Sequence, residues 1–194
     1  MKTLIILLLL ISFNSEARTV LIMGQSNAKG IIYSNSIQGE VIDCAISGMP
    51  IAAFHYSMVS TSIFGGCLYK TIGKHVDAIV FWQGEQDTGT QELSDAWGSS
   101  ASDVIRELHN YFGWNTPLIM VVLHDGGCPT CFNPGWQSVR DQQLNFMTGF
   151  PKIDSGNYPF VQTGIGAQIH LTVSGYVGIA NNINSWLDNL GVKQ

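Results

Sequence analysis

Apolar residues along the chain fall into two alternating patterns. Short continuous runs recur at Thr19–Met23, Val41–Ile46, Val76–Trp82 and Leu118–Leu123, with a weaker one at Tyr158–Thr163. Runs this short, rich in Val, Ile and Leu and with few polar alternates, read as strands buried on both faces. Pro159 has no amide hydrogen, which suits the weaker run to a sheet edge or a strand start. Between the runs the spacing becomes helical. Ala101, Val104, Ile105, Leu108 and Phe112 recur at i, i+3, i+4, i+7 and i+11, with Gly113 as the residue that ends the helix. Trp136, Val139, Gln143, Phe146 and Met147 form a partial stripe, closed by Gly149 and Pro151. Tyr176, Ile179, Ala180, Ile183, Trp186, Leu187 and Leu190 form the fullest stripe, starting near Ser174 and ending at Gly191. Residues 51–75 read as a short helix or an irregular loop.

Strands alternating with helices predict an α/β fold, a three-layer α/β/α sandwich around a central, mainly parallel five-stranded sheet. In open sheets of this kind ligands bind beyond the carboxyl ends of the strands. Residues that carry chemistry are therefore expected to follow strands.

The first seventeen residues have a different pattern. Lys2 precedes an apolar run from Leu4 to Phe13, and Ser15-Glu16-Ala17 offers a small-x-small cleavage signal. This is the pattern of a secretory signal peptide, residues 1–17, with a mature chain starting near Arg18. The run is shorter than the roughly 20 residues of a spanning helix. Residues 18–194 then suffice for one domain with a substantial core. The expected location is periplasmic or secreted.

Composition narrows the partners. The chain has 9 Lys and Arg against 14 Asp and Glu. No basic stripe is present, so nucleic acid is not an expected partner. The 21 glycines with a high apolar fraction suggest tight turns rather than disorder. The four cysteines, Cys44, Cys67, Cys128 and Cys131, are an even set that in an exported chain favours disulfides. The expected pairs are Cys44–Cys67 and Cys128–Cys131. Cys-Pro-Thr-Cys could also be a redox or metal motif, but it lacks a thioredoxin-like context, and only His124 stands near as a further ligand. No metal or cofactor is expected.

Three polar segments follow predicted strands. Gly24-Gln25-Ser26-Asn27 follows the first, with glycine permitting a sharp turn and Ser26 presented at the sheet edge. Gln83-Gly84-Glu85-Gln86-Asp87 follows the third, and His170 stands in Ile169-His170-Leu171-Thr172 just before the last helix. A serine hydroxyl is a poor nucleophile until a general base and an oxyanion site support it. His109 and the arginines Arg106 and Arg140 read as surface residues of helices.

Together, Met23-Gly-Gln-Ser-Asn-Ala-Lys-Gly30, Trp82-Gln-Gly-Glu-Gln-Asp87 and His170-Leu-Thr-Val-Ser-Gly-Tyr176 resemble the SGNH (GDSL-type) hydrolases, in the branch of sialate O-acetylesterases and acetylxylan esterases. The resemblance implies a parallel five-stranded α/β/α fold and an exported, metal-independent serine esterase acting on an acetylated carbohydrate. It implies Ser26 as nucleophile and His170 as general base. The oxyanion donors it implies are the backbone N–H groups of Ser26 and Gly48, the latter in Ile46-Ser-Gly-Met-Pro-Ile51, and the side-chain amide of Gln83. Many members carry an Asp three residues before the His, where this chain has Ala167. Glu85 is the expected orienting acid, with Asp87 or a backbone carbonyl near Ala167 as alternatives. Gln25, Asn27 and His124 are candidates for substrate contacts. The alternative readings are a broad lipid or thioester hydrolase of the same fold and a catalytically inactive sugar-binding protein.

Overall fold

The four strong apolar runs form the strands β1 (Thr19–Gly24), β2 (Glu40–Ala45), β3 (Ala78–Trp82) and β4 (Leu118–Val122) in a computed structural model of the chain. Residues 17–57, 59–125, 134–145, 149–162 and 168–192 are described. The sheet has five strands in the order β2-β1-β3-β4-β5, and every pairing is parallel. The fifth strand is not the expected Tyr158–Thr163. It is β5 (Lys152–Asp154), paired with β4. Three residues with one buried side chain, Ile153, leave no periodicity to read. The expected segment instead makes a single antiparallel bridge, Phe160 to Leu171, and the Pro159 carbonyl accepts from Thr172 N–H at 2.9 Å.

Among the described residues five α-helices flank the sheet: α1 (Ser26–Ser34), α2 (Ile63–Lys70), α3 (Gln91–Phe112), α4 (Trp136–Asn145) and α5 (Val173–Asn189). Each strand sends alternate side chains to opposite faces. Leu21, Met23, Ile79 and Phe81 pack with Phe64, Trp97, Ile105 and Val139 from α2, α3 and α4. Val20, Ile22, Ala78 and Val80 pack with Ala28, Ile31, Ile179, Ile183 and Leu187 from α1 and α5. Full burial of each large aliphatic side chain is worth about 1.5–3 kcal/mol, so both layers hold the sheet firmly. Cys44 and Cys67 form a disulfide with Cα atoms 5.2 Å apart, fastening β2 to α2. Cys128 and Cys131 lie outside the described residues, as do residues 1–16, where the signal peptide is expected. Among the described residues no helix is long and apolar enough to cross a membrane.

Two surface expectations are corrected. Arg140 is buried, donates to Leu123 O and pairs with Asp154 at 2.6 Å. His109 is buried between Trp114 and Phe150, with ring centroids 5.2 and 5.8 Å away. Arg106 is about half exposed and pairs with Asp103 at 2.9 Å.

The order of the strands fixes where a site can form. The chain leaves β1 towards β2, then crosses back to β3 on the other side. Beyond the carboxyl ends of β1 and β3 this reversal opens a crevice. Ser26 follows β1 there, and Gln83–Asp87 follows β3.

Candidate active site

Ser26 is delivered by a tight junction between β1 and α1. Gln25 N–H donates to Trp82 O on β3 at 3.2 Å. Any Cβ on Gly24 would lie 1.8 Å from that same carbonyl, so only glycine permits the approach. What reads as a turn is the entry to a helix, with Ser26 as its first residue and no side-chain cap from Gln25. The first helical bond runs from Lys29 N–H to Gln25 O at 3.0 Å. The Ser26 amide precedes it and remains available at the positive end of the α1 dipole.

His170 reaches the same crevice from the far end of the chain. Its Nε2 lies 2.8 Å from Ser26 Oγ. The residues after it fix its place: Leu171 is buried, and Thr172 caps α5 by accepting from Gly175 N–H at 3.2 Å. Burial lowers the pKa of His170 from its ordinary 6.5. The imidazole is therefore neutral at pH 7 and ready to accept a proton.

A third loop faces this pair. Gly48, at φ +73°, lines the cleft with Gln25, Ser26, Glu85, Gln86, Gly89, Ile169 and His170. The cleft holds about 240 Å³. A left-handed conformation suits glycine, and a Cβ there would meet nothing within 4 Å. The loop is held from behind. Gln83 Nε2 donates to Met49 O at 3.0 Å and to Asp87 Oδ2 at 3.1 Å, and Gln83 Oε1 accepts from Trp97 Nε1 at 3.0 Å. Both Asp87 oxygens accept from Ile51 N–H at 3.0 Å.

These bonds revise two expectations. Gln83 is fully buried and both its amide hydrogens are engaged, so it supports the Gly48 loop instead of donating to an oxyanion. Asp87 is bound to that same loop and makes no bond to His170. Burial raises its pKa to about 6.

Glu85 is close to the pair but does not touch the imidazole. Its Oε1 accepts from Asn27 Nδ2 at 2.8 Å, while its buried Oε2 has no partner. Burial raises its pKa to about 7, against the lowering effect of the Asn27 bond. Among the described residues no carboxylate pairs with His170; the backbone near Ala167 lies outside them.

The proposed substrate contacts separate. Gln25 lines the cleft, and its buried Nε2 has no partner. Asn27 is instead committed within the fold: its Nδ2 also donates to Ile169 O at 2.9 Å, and its Oδ1 accepts from Tyr176 OH at 2.8 Å. His124 is buried, 4.9 Å from Trp136 and 4.2 Å from Phe160 between ring centroids. Its Nε2 lies 2.8 Å from Gln168 O. Burial lowers its pKa, so it is neutral and donates through an Nε2–H tautomer. Tyr176 reads as part of the last helical stripe and as the end of the His170–Tyr176 motif, with no role for its hydroxyl; that hydroxyl within an apolar pattern is the available signal. No group of three or more His, Cys, Asp or Glu side chains suited to a metal ion occurs among the described residues.

A hydroxyl and a neutral base in contact with it beside a small cleft are groups that could carry acyl transfer. Three known structures share the fold. A protein from Arabidopsis thaliana matches with TM-score 0.63 at 19% identity, over 78% of this chain and 61% of its own. A GDSL-like lipase from Bacteroides thetaiotaomicron matches with TM-score 0.62 at 16% identity, over 89% and 88%. A carbohydrate acetylesterase from Xanthomonas citri matches with TM-score 0.60 at 13% identity, over 89% and 56%. No curated protein matches significantly. A family model for carbohydrate esterases described as sialic acid-specific acetylesterases matches residues 33–186, a stretch that includes Gln83–Asp87 and His170 and begins after Ser26. With its five-stranded parallel sheet and this match over most of its length, the chain belongs to that acetylesterase family of the SGNH hydrolases.

Proposed function

We propose that the protein is an exported esterase that removes O-acetyl groups from a carbohydrate through an acetyl-enzyme. The observation that carries this reading is the 2.8 Å contact between His170 Nε2 and Ser26 Oγ at the cleft. Ser26 Oγ attacks the acetyl carbonyl while His170 takes its proton. The Ser26 and Gly48 amides hold the oxyanion, each such donor being worth on the order of 10²–10³ in rate. The tetrahedral intermediate collapses, the sugar oxygen leaves, and His170 returns the proton to it. Water then repeats the sequence on the acetyl-enzyme, releasing acetate and restoring Ser26.

The size of the cleft supports a short acyl group. At about 240 Å³ it is smaller than the roughly 300–1,000 Å³ pockets of drug-sized ligands. Polar side chains stand in its lining, among them Gln25, Gln86 and Glu85, which could meet a leaving sugar. These features favour acetyl groups over the long chains of lipid esters. The Cys44–Cys67 bridge and the apolar leader support a periplasmic or secreted location.

The test is acetate release from a panel of O-acetylated glycans by wild type and Ser26→Ala. Release by wild type alone is expected. Activity retained in Ser26→Ala would remove the nucleophile assignment, and hydrolysis confined to long acyl esters would remove the substrate class.

A further inference from the structure

Three consecutive carbonyls at His170 each accept a hydrogen bond from a different part of the fold. Gln168 O accepts from His124 Nε2 at 2.8 Å. Ile169 O accepts from Asn27 Nδ2 at 2.9 Å. His170 O accepts from Val161 N–H at 2.9 Å. Gln168 also donates its own N–H to Val161 O at 2.7 Å while sitting at φ +63°. A non-glycine residue in that region is disfavoured and persists where its surroundings impose it.

Asn27 is the hub of this arrangement. It is buried, and both its Nδ2 hydrogens and its Oδ1 are engaged, with Glu85, Ile169 and Tyr176. Rotating the amide by half a turn would place Oδ1 against two acceptors, so one orientation is selected. Tyr176 is locked in turn by α1: a Cβ on Gly30 would fall 2.2 Å from its ring. The residue after the nucleophile thus holds the peptide before the base.

We propose that His170 is aimed at Ser26 by this clamp on its own backbone. Asn27, Tyr176 and His124 are positioning residues, and Glu85 acts through Asn27 rather than on the imidazole. The proposal rests on Ser26 and His170 being nucleophile and base. It explains how the base is oriented although Ala167 stands at the family's usual acid position and Glu85 bonds elsewhere. An imidazole held by its backbone keeps its approach to Ser26 whatever the protonation of Glu85, because a neutral carboxyl still accepts from Asn27.

The test uses the mature protein, 4-nitrophenyl acetate, and NMR of ¹³C-labelled histidine. Asn27→Ala should lower kcat by about 10–100-fold with KM within about threefold, the scale of a misplacement near 1 Å. Tyr176→Phe, which keeps its ring, should lower kcat by a smaller factor in the same way. Glu85→Ala should lose activity, and Glu85→Gln, whose carbonyl still accepts from Asn27, should recover most of it with the His170 titration unmoved. A Glu85→Gln loss approaching 10⁴, with the His170 pKa down by a unit or more, would establish a direct carboxylate contact and overturn the clamp. So would folded Asn27→Ala and Tyr176→Phe proteins with wild-type kcat. If Asn27→Ala does not fold, the Tyr176→Phe kcat and the Glu85→Gln pair decide. Ser26→Ala run in parallel separates the cases: activity retained there refutes the esterase site itself.

Discussion

Asn27 Nδ2 lies 2.9 Å from Ile169 O, so the residue following Ser26 is bonded to the residue preceding His170. Ser26 and His170 are thereby linked through the Asn27 side chain and the Ile169 carbonyl, in addition to the direct 2.8 Å contact of their side chains. The expectations below follow from how that unit is held and charged.

The first concerns pH and rate. Burial lowers the His170 pKa below 6.5, and no carboxylate among the described residues pairs with the ring to offset it. The base is active when deprotonated, so a lowered pKa extends activity to more acidic conditions. The acid limb of kcat/KM should have its midpoint below pH 6.5, with a plateau through neutrality. A midpoint above pH 7 in a pH–rate profile would require an ionised carboxylate against the imidazole, because an adjacent negative charge raises a histidine pKa.

The second concerns Gln83. Its side chain joins Met49 O, Asp87 and Trp97 behind the Gly48 loop. Gln83→Ala removes the amide that donates to buried Asp87 and the acceptor of Trp97 Nε1, at about 1–3 kcal/mol for a buried hydrogen bond lost on one side. The loop that presents the Gly48 amide loosens with it. Urea unfolding should show a loss of a few kcal/mol, and kcat should fall more than KM rises. Unchanged stability with a large loss of kcat would instead return Gln83 to the oxyanion as a direct donor.

Much of this was legible in the sequence, and the exceptions share a cause. Ser26 and His170 could be brought to one sheet edge because each adjoins a strong signal, a buried strand before the one and a helix start after the other. The partners of Asn27 are 58, 142 and 149 positions away, at Glu85, Ile169 and Tyr176, so a local reading made it a substrate contact. Gln83 was misplaced for the same reason, since Met49 lies 34 positions from it. His124 correctly follows a strand end, yet its ring turns into the fold towards Gln168. β5 has only three residues, too few for a period, and the longer apolar run at Tyr158 drew the assignment. Strand order and residue type locate an active edge; they do not say which polar side chains there face solvent and which bond to one another.

The third expectation tests the packing of α1 against α5. Gly30→Ala adds one methyl group where Tyr176 Cζ would stand 2.2 Å away. Alanine is otherwise the better helix former, so helix propensity predicts stabilisation by about 1 kcal/mol at this position. Overpacking against this half-buried ring costs about 1–3 kcal/mol, and it should prevail because the Tyr176 hydroxyl is also tied to Asn27 at 2.8 Å. The Gly30→Ala protein should unfold at lower urea and lose kcat together. A more stable variant with full activity would show that Tyr176 has room to move and does not lock Asn27.

The last expectation concerns stability and pH. Glu85 has its pKa raised by burial from 4.5 to about 7 in the folded chain. Between those values the folded protein binds more protons at this site than the unfolded chain does. Stability contributed by neutral Glu85 is therefore fully present below pH 4.5 and is lost as pH rises through about 7. Asp87, raised from 3.8 to about 6, adds a slope of the same sign over a lower window. Glu85→Gln removes the ionisation while keeping an acceptor for Asn27. Urea unfolding from pH 5 to 8 should show wild type losing stability as pH rises, by up to about 3 kcal/mol from the Glu85 shift. The Glu85→Gln protein should show a shallower slope, the remainder arising from Asp87, and should gain on wild type towards pH 8. Parallel curves for the two proteins would mean that the Glu85 pKa is not raised in the fold.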